Sequence, residues 1–151
     1  MTERAVTNST CLIGLERIER LDILPQVFNS VFATPAVAKE VRTSLDWLLV
    51  TAVANPSVVI ALRTQMDEGE AEAIALALEL ENVLLILDDK KARRVAQQMS
   101  MKVIGTVGML LRAKRQGVIT EVKPLLLKLT EVDFRISQGI IQEALRLSGE
   151  N

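Results

Sequence analysis

The side chains of this sequence that could do chemistry are carboxylates and one amide. The chain has no histidine, no tyrosine and a single cysteine, Cys11. This composition excludes Ser–His–Asp triads, Cys–His pairs and histidine- or cysteine-rich zinc sites. Hydrolytic chemistry would therefore use carboxylates together with a hard cation that prefers oxygen ligands. The candidates are Asn8, Glu40, Glu70 and Asp88.

One helix–strand–helix unit, residues 69–96, carries two of these candidates. Glu70 opens a predicted amphipathic helix, and Asp88 ends an apolar strand predicted at residues 83–87. A second helix is predicted from about residue 89 to residue 99. Because both carboxylates lie at the ends of elements and not on exposed faces, folding can bring them together.

Predicted strands alternate with predicted helices along the chain, a pattern typical of an α/β protein. The all-apolar segment 83–87 suits a central strand that is buried on both faces. We therefore expect a single domain spanning residues 1–151, folded as a three-layer α/β/α sandwich with a central parallel sheet. The other strands are predicted at residues 5–7, 31–33, 47–53 and 101–104, and later helices at 35–42, 58–65, 109–115, 123–130 and 137–147.

Ligands of an open α/β sheet bind beyond the carboxyl ends of its strands. Asn8 follows the first predicted strand and Asp88 follows the central one, so both are expected at that edge. Glu40 and Glu70 would have to lean over the same edge from neighbouring helices. Crowded carboxylates repel one another, and a divalent cation relieves that repulsion. Such a cation could activate water for in-line attack on a phosphodiester.

Each acid also has a purely structural interpretation. Glu70, in a first helical turn, would favourably oppose the helix dipole, and Asp89 could cap the helix that follows it. Glu40 could be a solvated surface residue. Cys11 has apolar neighbours and is expected in the core. Residues 105–108, Gly-Thr-Val-Gly, lack a phosphate-loop lysine and are expected to form a tight turn.

The net charge of −1 gives the chain no global basic field, so a nucleic-acid partner would need a local basic patch. Basic residues that flank the acids could grip a phosphate backbone, or they could be ordinary solvated helix faces. The four aromatic residues are too few for a base-stacking RNA module. The basic candidates are Lys90, Lys91, Arg93, Arg94, Arg112 and Lys114.

The N-terminal sequence and the apolar runs bear on location. The first ten residues lack the basic segment and apolar core of a signal peptide, and the longest apolar run, residues 47–54, is too short to span a bilayer. A single cysteine suits a reducing compartment. We therefore expect a cytoplasmic protein with no membrane partner.

Four ordered motifs give the chain a resemblance to the PIN domain family, which includes the VapC-type toxins. The resemblance covers nearly the whole chain and is closest to a bacterial subgroup of nucleic-acid-binding PIN proteins. The matching segments are Asn8-Ser9-Thr10-Cys11-Leu12-Ile13, Pro35-Ala36-Val37 with Glu40, Gly69-Glu70-Ala71-Glu72-Ala73-Ile74 with Leu87-Asp88-Asp89, and Val103 to Arg115.

The resemblance implies a metal site and its ligands. The acidic ligands of the family fall on Glu40, Glu70 and Asp88, with Asp89 as a neighbouring candidate, and the implied cation is Mg²⁺ or Mn²⁺. Glu70 matches better than Glu72 because eighteen residues separate it from Asp88, as in the family.

Two positions depart from the family pattern. Asn8 stands where the family has Asp, and an amide oxygen can bind a cation but adds no negative charge. Cys11 stands in place of the usual Pro, which concerns packing more than chemistry.

Three functional hypotheses follow. The first is a metal-dependent endoribonuclease in which Glu40, Glu70 and Asp88 are catalytic; by resemblance it is a toxin with a small antitoxin partner and forms a homodimer. The second is a degenerate PIN domain that binds RNA or a protein without cutting, an alternative that Asn8 motivates. The third, a phospho-receiver suggested by the Asp88-Asp89 pair, is disfavoured because that pair comes late in the chain.

Overall fold

The computed structural model describes residues 3–151 and arranges them around one parallel sheet. Its order is β3-β2-β1-β4-β5, and every neighbouring pair of strands is parallel. The predicted α/β class is therefore confirmed, with β1 and β4 side by side near the middle. The strands are β1 (Arg4–Thr7), β2 (Ser30–Ala33), β3 (Leu48–Val50), β4 (Val83–Ile86) and β5 (Lys102–Ile104).

Helices cover both faces of this sheet. Alternate residues of β4 face opposite sides, so Leu84 and Ile86 pack in one core layer while Val83 and Leu85 pack in the other. The first layer is formed mainly by α1, α2, α7 and α8, and the second by α4, α5 and α6. The helices are α1 (Ser9–Arg17), α2 (Ile23–Val27), α3 (Pro35–Ala38), α4 (Pro56–Leu62), α5 (Glu68–Leu80), α6 (Lys90–Gln98), α7 (Thr106–Arg115), α8 (Lys123–Glu131) and α9 (Gln138–Ser148).

The helix that was expected to carry Glu40 is shorter than predicted. It ends at Ala38 and not at Arg42, and Glu40 lies in the turn that follows. The reason is a distant carboxylate: Glu16 Oε2 accepts the backbone N–H groups of Arg42 and Thr43 at 2.9 and 2.7 Å. These contacts hold the chain in a non-helical conformation, so the prediction of a helix through Arg42 was wrong.

The edge strand β3 is also shorter than the predicted 47–53. Its partner β2 ends at Ala33, whose carbonyl accepts the last cross-strand bond from Thr51 N at 2.9 Å. The chain then turns away, and Ala54 N donates to the Glu79 carboxylate at 2.9 Å. Within residues 3–151, no helix is both long enough and apolar enough to cross a membrane.

Candidate functional site

Asn8 and Asp88 meet at the carboxyl ends of the neighbouring strands β1 and β4. Asn8 Nδ2 donates to Asp88 Oδ2 at 3.1 Å. Asn8 Oδ1 accepts the N–H of Cys11 at 2.9 Å and so caps α1. Because the Cys11 N–H requires an acceptor, the amide presents its nitrogen, not its oxygen, to the carboxylate.

Asp88 also caps a helix that is distant from it in sequence. Its Oδ1 accepts the N–H of Thr106 at 2.7 Å, and its Oδ2 accepts the Thr106 hydroxyl at 2.8 Å. This contact lets α7 begin at Thr106, so the prediction of a tight turn at residues 105–108 was wrong. A Cβ on Gly105 would lie 3.2 Å from Asp88 Oδ1 and 2.8 Å from Arg93 Nη1, so a side chain at this position would displace Arg93 and press on Asp88.

A cavity of about 510 Å³ lies beside Asp88 and is called the acidic pocket. Glu70, at the start of α5, and Asp89 line it together with Asp88. The structure thus brings three carboxylates of the 69–96 unit, Glu70, Asp88 and Asp89, around one cavity. Two cations, Arg17 from α1 and Arg135 from the α8–α9 loop, line the same space.

The surroundings of Glu70 in the acidic pocket disfavour its ionised form. Burial, followed by the negative charges of Asp67 and Asp89, raises the pKa of the Glu70 carboxyl from 4.5 to about 7. Asp67 caps α5 by accepting the N–H of Glu70 at 2.8 Å, and Asp89 Oδ2 caps α6 by accepting the N–H of Ala92 at 2.8 Å. The capping role considered for Asp89 is therefore present, and it engages only one of the two oxygens of that carboxylate.

Glu40 is not brought to the acidic pocket. It is exposed in the turn after α3 and does not line the cavity that Glu70 and Asp88 share. Among the described residues, 3–151, no group of three or more His, Cys, Asp or Glu side chains is arranged to hold a metal ion. A cation in this pocket would therefore need water or substrate oxygens to complete its coordination.

The six basic candidates lie outside the acidic pocket. Lys90, Lys91 and Arg94 are exposed on α6, and Arg93 is half-buried beside Gly105. Two others form ion pairs elsewhere, Arg112 with Glu3 at 2.6 Å and Lys114 with Glu150 at 2.8 Å. Phosphate binding by these six residues stays a prediction.

Sequence reasoning did not identify the two cations of the acidic pocket or the threonine that binds Asp88. Arg17 is held in place by donating to the carbonyl of Val132 at 3.1 Å, a contact between segments 115 residues apart. Arg135 follows Asp133 and Phe134 in a loop without a recognisable motif. Thr106 was visible only as part of a glycine-rich turn, so no local pattern indicated these roles.

Cys11 is fully buried beneath the site, as expected. Burial first, and the Asp88 charge second, raise the pKa of the Cys11 thiol from 9.0 to about 12. The thiolate that a nucleophilic mechanism requires is therefore not formed near neutral pH.

Comparison with known proteins identifies the fold. A family model described as DUF3368, a PIN domain, matches residues 4–150. No curated protein matches the chain. The match covers both strands that carry Asn8 and Asp88, and also α5 with Glu70.

Proposed function

The chain belongs to the PIN domain family, a nuclease fold, and we propose that it is a Mg²⁺- or Mn²⁺-dependent endoribonuclease. The observation that carries this proposal is the acidic pocket. Glu70, Asp88 and Asp89 line one cavity, and the pKa of Glu70 is raised to about 7 by burial and then by neighbouring carboxylates. Carboxylates held together against their repulsion are typical of sites that a cation completes.

The residues present fit a magnesium-like ion better than one that needs a full protein cage. Mg²⁺ commonly binds through about one or two carboxylates, keeps several waters and takes its remaining ligands from substrate phosphates. Glu70 and Asp89 would hold the ion, since hydrogen-bond donors already engage both oxygens of Asp88. When bound, the cation would lower the pKa of a coordinated water and neutralise negative charge on the phosphodiester.

The residues of the pocket would divide the remaining work. Glu70, whose pKa is about 7 without a cation, would release its proton when a cation binds, so metal binding would be coupled to pH. Asp88 is fixed in orientation by Thr106 and Asn8. Arg17 and Arg135 line the same pocket and would offer guanidinium groups to the phosphates of a bound RNA.

A cleavage assay with a matched control tests this proposal. Purified protein is incubated with single-stranded RNA in Mn²⁺, with and without chelator, beside Asp88→Asn and Glu121→Gln. We expect cleavage that requires Mn²⁺, is lost in Asp88→Asn and persists in Glu121→Gln, whose side chain is exposed. Cleavage that survives both the chelator and Asp88→Asn would exclude the mechanism.

A second candidate function is RNA or protein binding without cleavage. Two contacts favour it: Asn8 donates to Asp88 where a second acid would repel it, and the Thr106 hydroxyl donates to the same carboxylate. Because hydrogen-bond donors already engage both Asp88 oxygens, that carboxylate has less need of a cation. The fold would then preserve the outline of the site without its chemistry.

The substitution Asn8→Asp separates the two candidates. It restores the acid of the family, removes the donor to Asp88 and keeps an oxygen for the N–H of Cys11. If the native protein only binds, Asn8→Asp should gain Mn²⁺ affinity, measured by calorimetry. Robust cleavage by the unaltered protein would refute the binding-only candidate.

By resemblance to VapC-type toxins, we further propose a small antitoxin partner and a homodimer. The exposed apolar side chains of Leu49, Val50 and Ile60, on β3 and α4, are consistent with a covered surface there. Sedimentation of the purified protein tests the dimer, and a monomer at all concentrations would exclude it.

A further inference from the structure

An apolar pocket of about 390 Å³ opens between α7 and α9 beside the acidic pocket. Its size lies within the range of about 300–1,000 Å³ that is common for small-molecule sites. Mainly apolar side chains form its walls, among them Val107, Leu111, Phe134, Ile136, Ile140 and Leu147. The proposed nuclease chemistry makes no use of this cavity.

The two pockets share three residues, Asp88, Phe134 and Arg135. Phe134 stands at their junction, where its ring packs so tightly on α1 that a Cβ on Gly14 would lie 2.7 Å from Phe134 Cδ2. The two pockets therefore lie against the same aromatic ring.

Arg93 adds a positive charge at the same place. Its guanidinium is half-buried over Gly105 and faces the apolar pocket close to Asp88. Among residues 3–151, no carboxylate pairs with Arg93 within 4 Å. A half-buried guanidinium without such a partner favours an anionic ligand.

We propose that the apolar pocket binds an unpaired nucleobase of the RNA whose phosphodiester lies in the acidic pocket. The inference rests on the proposed function, because it names the nucleotide next to the cleaved bond as the occupant. The base packs against Phe134, and Arg93 and Arg135 contact the adjoining phosphates. One aromatic face suffices for a single base, although four aromatics are too few for a multi-base stacking surface.

Four charged side chains line the apolar pocket: Asp88, Arg93, Arg135 and Glu143. Glu143 is paired with Arg146, and Asp88 accepts hydrogen bonds from Asn8 and Thr106, so the arginines are the charges left for a ligand, which favours a nucleotide over a protein segment. An apolar helix laid on Ile140 and Leu147 would cover Arg93 and Arg135 without giving these guanidinium groups an anion. Burying such charges without partners is costly. A nucleotide supplies a flat apolar ring for the walls and a phosphate for the two arginines.

Methyl NMR titrations in chelator test the pocket without any cleavage. The probes are the four 5′-ribonucleoside monophosphates, with ribose 5-phosphate as the ligand that lacks a base. We expect nucleotides, but not ribose 5-phosphate, to shift the methyl signals of Ile104, Ile136 and Ile140, which line the pocket. The Ile60 methyl, on α4 across the sheet, should not move.

Two substitutions locate the binding. Phe134→Leu keeps an apolar side chain but removes the ring and should weaken nucleotide binding about tenfold. Ile140→Glu places a negative charge at the rim and should abolish binding. Leu78→Glu introduces the same charge at a similarly exposed apolar position on α5 and should leave binding intact; the exposed fractions of Ile140 and Leu78 are 47% and 43%.

The outcomes separate this proposal from the nuclease itself. Equal shifts with nucleotides and ribose 5-phosphate would overturn it, even if Mn²⁺-dependent cleavage is observed. Concentration-dependent broadening of the same methyls without nucleotide would identify a second copy of the chain as the occupant and also overturn it. Base-dependent shifts in a protein that does not cleave RNA would support the pocket and refute only the proposed catalysis.

Discussion

Two partly buried carboxylates of this protein experience opposite environments. Glu70 lies among Asp67, Asp88 and Asp89, and its pKa is raised to about 7 by burial first and then by the carboxylates of Asp67 and Asp89. Glu150 is also disfavoured by burial, but the hydrogen bonds that it accepts outweigh that effect and lower its pKa to about 2. At Glu70 no set of hydrogen bonds outweighs the cost of burying the charge, whereas at Glu150 the hydrogen bonds do outweigh it.

The partners of Glu150 show what compensation requires. Lys114 Nζ donates to it at 2.8 Å, and the backbone N–H groups of Val122 and Lys123 donate at 2.8 and 2.9 Å. The carboxylate thereby ties the C-terminus to α7 and to the start of α8. A carboxylate that stabilises the fold has donors on the protein itself, whereas one that serves a ligand is left for the ligand to complete.

Among the substitutions that test this comparison, Glu70→Gln should have the largest effect, on both RNA cleavage and stability. We expect RNA cleavage to fall by about 100-fold, because a carboxylate ligand of the cation is lost. The pKa of Glu70 is raised by folding, so its ionised form destabilises the native state as pH rises from about 4.5 through 7. In chelator at pH 8, Glu70→Gln should therefore be more stable by about 1 kcal/mol, a figure discounted for partial exposure.

Chemical denaturation at pH 4 and at pH 8 measures this effect. The stability gain of Glu70→Gln should vanish at pH 4, where the native carboxyl is protonated. Equal stability of the two proteins at pH 8 would show that the acidic pocket is not strained, and the contrast with Glu150 would fail.

The next effect is expected in Glu150→Gln, with the opposite sign. The variant loses charge-assisted hydrogen bonds and should be less stable by about 2 kcal/mol at pH 7, with cleavage unchanged. Because folding lowers this pKa, the contribution of Glu150 is present above about 4.5 and is lost as pH falls toward 2. The difference between the two proteins should narrow over that interval.

Glu143→Gln is the matched control for Glu150→Gln. Glu143 pairs with Arg146 on the exposed face of α9, so its replacement should change the denaturation midpoint little. A loss as large as that of Glu150→Gln would contradict the distinction between exposed and compensated carboxylates.

A smaller change in stability is expected for Gly14→Ala, beside the Phe134 ring that borders both pockets. Gly14→Ala gains helix propensity of about 1 kcal/mol but introduces a Cβ 2.7 Å from Phe134 Cδ2, and overpacking costs about 1–3 kcal/mol. We expect a net loss of about 1 kcal/mol by thermal unfolding and a displaced Phe134 in methyl NMR. Gly139→Ala, with no atom within 4 Å of the new Cβ, should instead be slightly stabilising.

The last prediction is that the Cys11 thiol of the native protein does not react with a disulfide reagent. Because burial and then Asp88 raise the pKa of the thiol to about 12, a disulfide reagent at pH 8 should modify it only as fast as the protein unfolds. Colour development with and without denaturant measures the rate. Rapid labelling of the native protein would show that the reagent reaches the core beneath α1 without unfolding.

Local sequence patterns correctly predicted the strands whose position depends on a short run of apolar residues. The apolar segments at β1, β2 and β4 are strands, and Asp88 follows β4 beside Asn8 because parallel strands share an edge. The adjacency of these two side chains was thus predictable before the fold was known.

The departures from prediction come from contacts between distant residues. The cap of α7 is the side chain of Asp88, 18 residues before Thr106, so the helix start has no local signal. Glu40 is held away from α3 by the bonds of Glu16 to Arg42 and Thr43, across 26 and 27 residues. A pattern within a short window does not contain such partners.

The pairing of Asn8 with Asp88 also bears on synthesis of the chain. The two residues are 80 positions apart, and Asp88 is held in turn by Thr106. A nascent chain that has not yet emerged past residue 106 has Asn8 but lacks Thr106, so the orientation of Asp88 is still incomplete when β1 and α1 have already formed. Any activity of the pocket is consequently delayed until most of the polypeptide has left the ribosome.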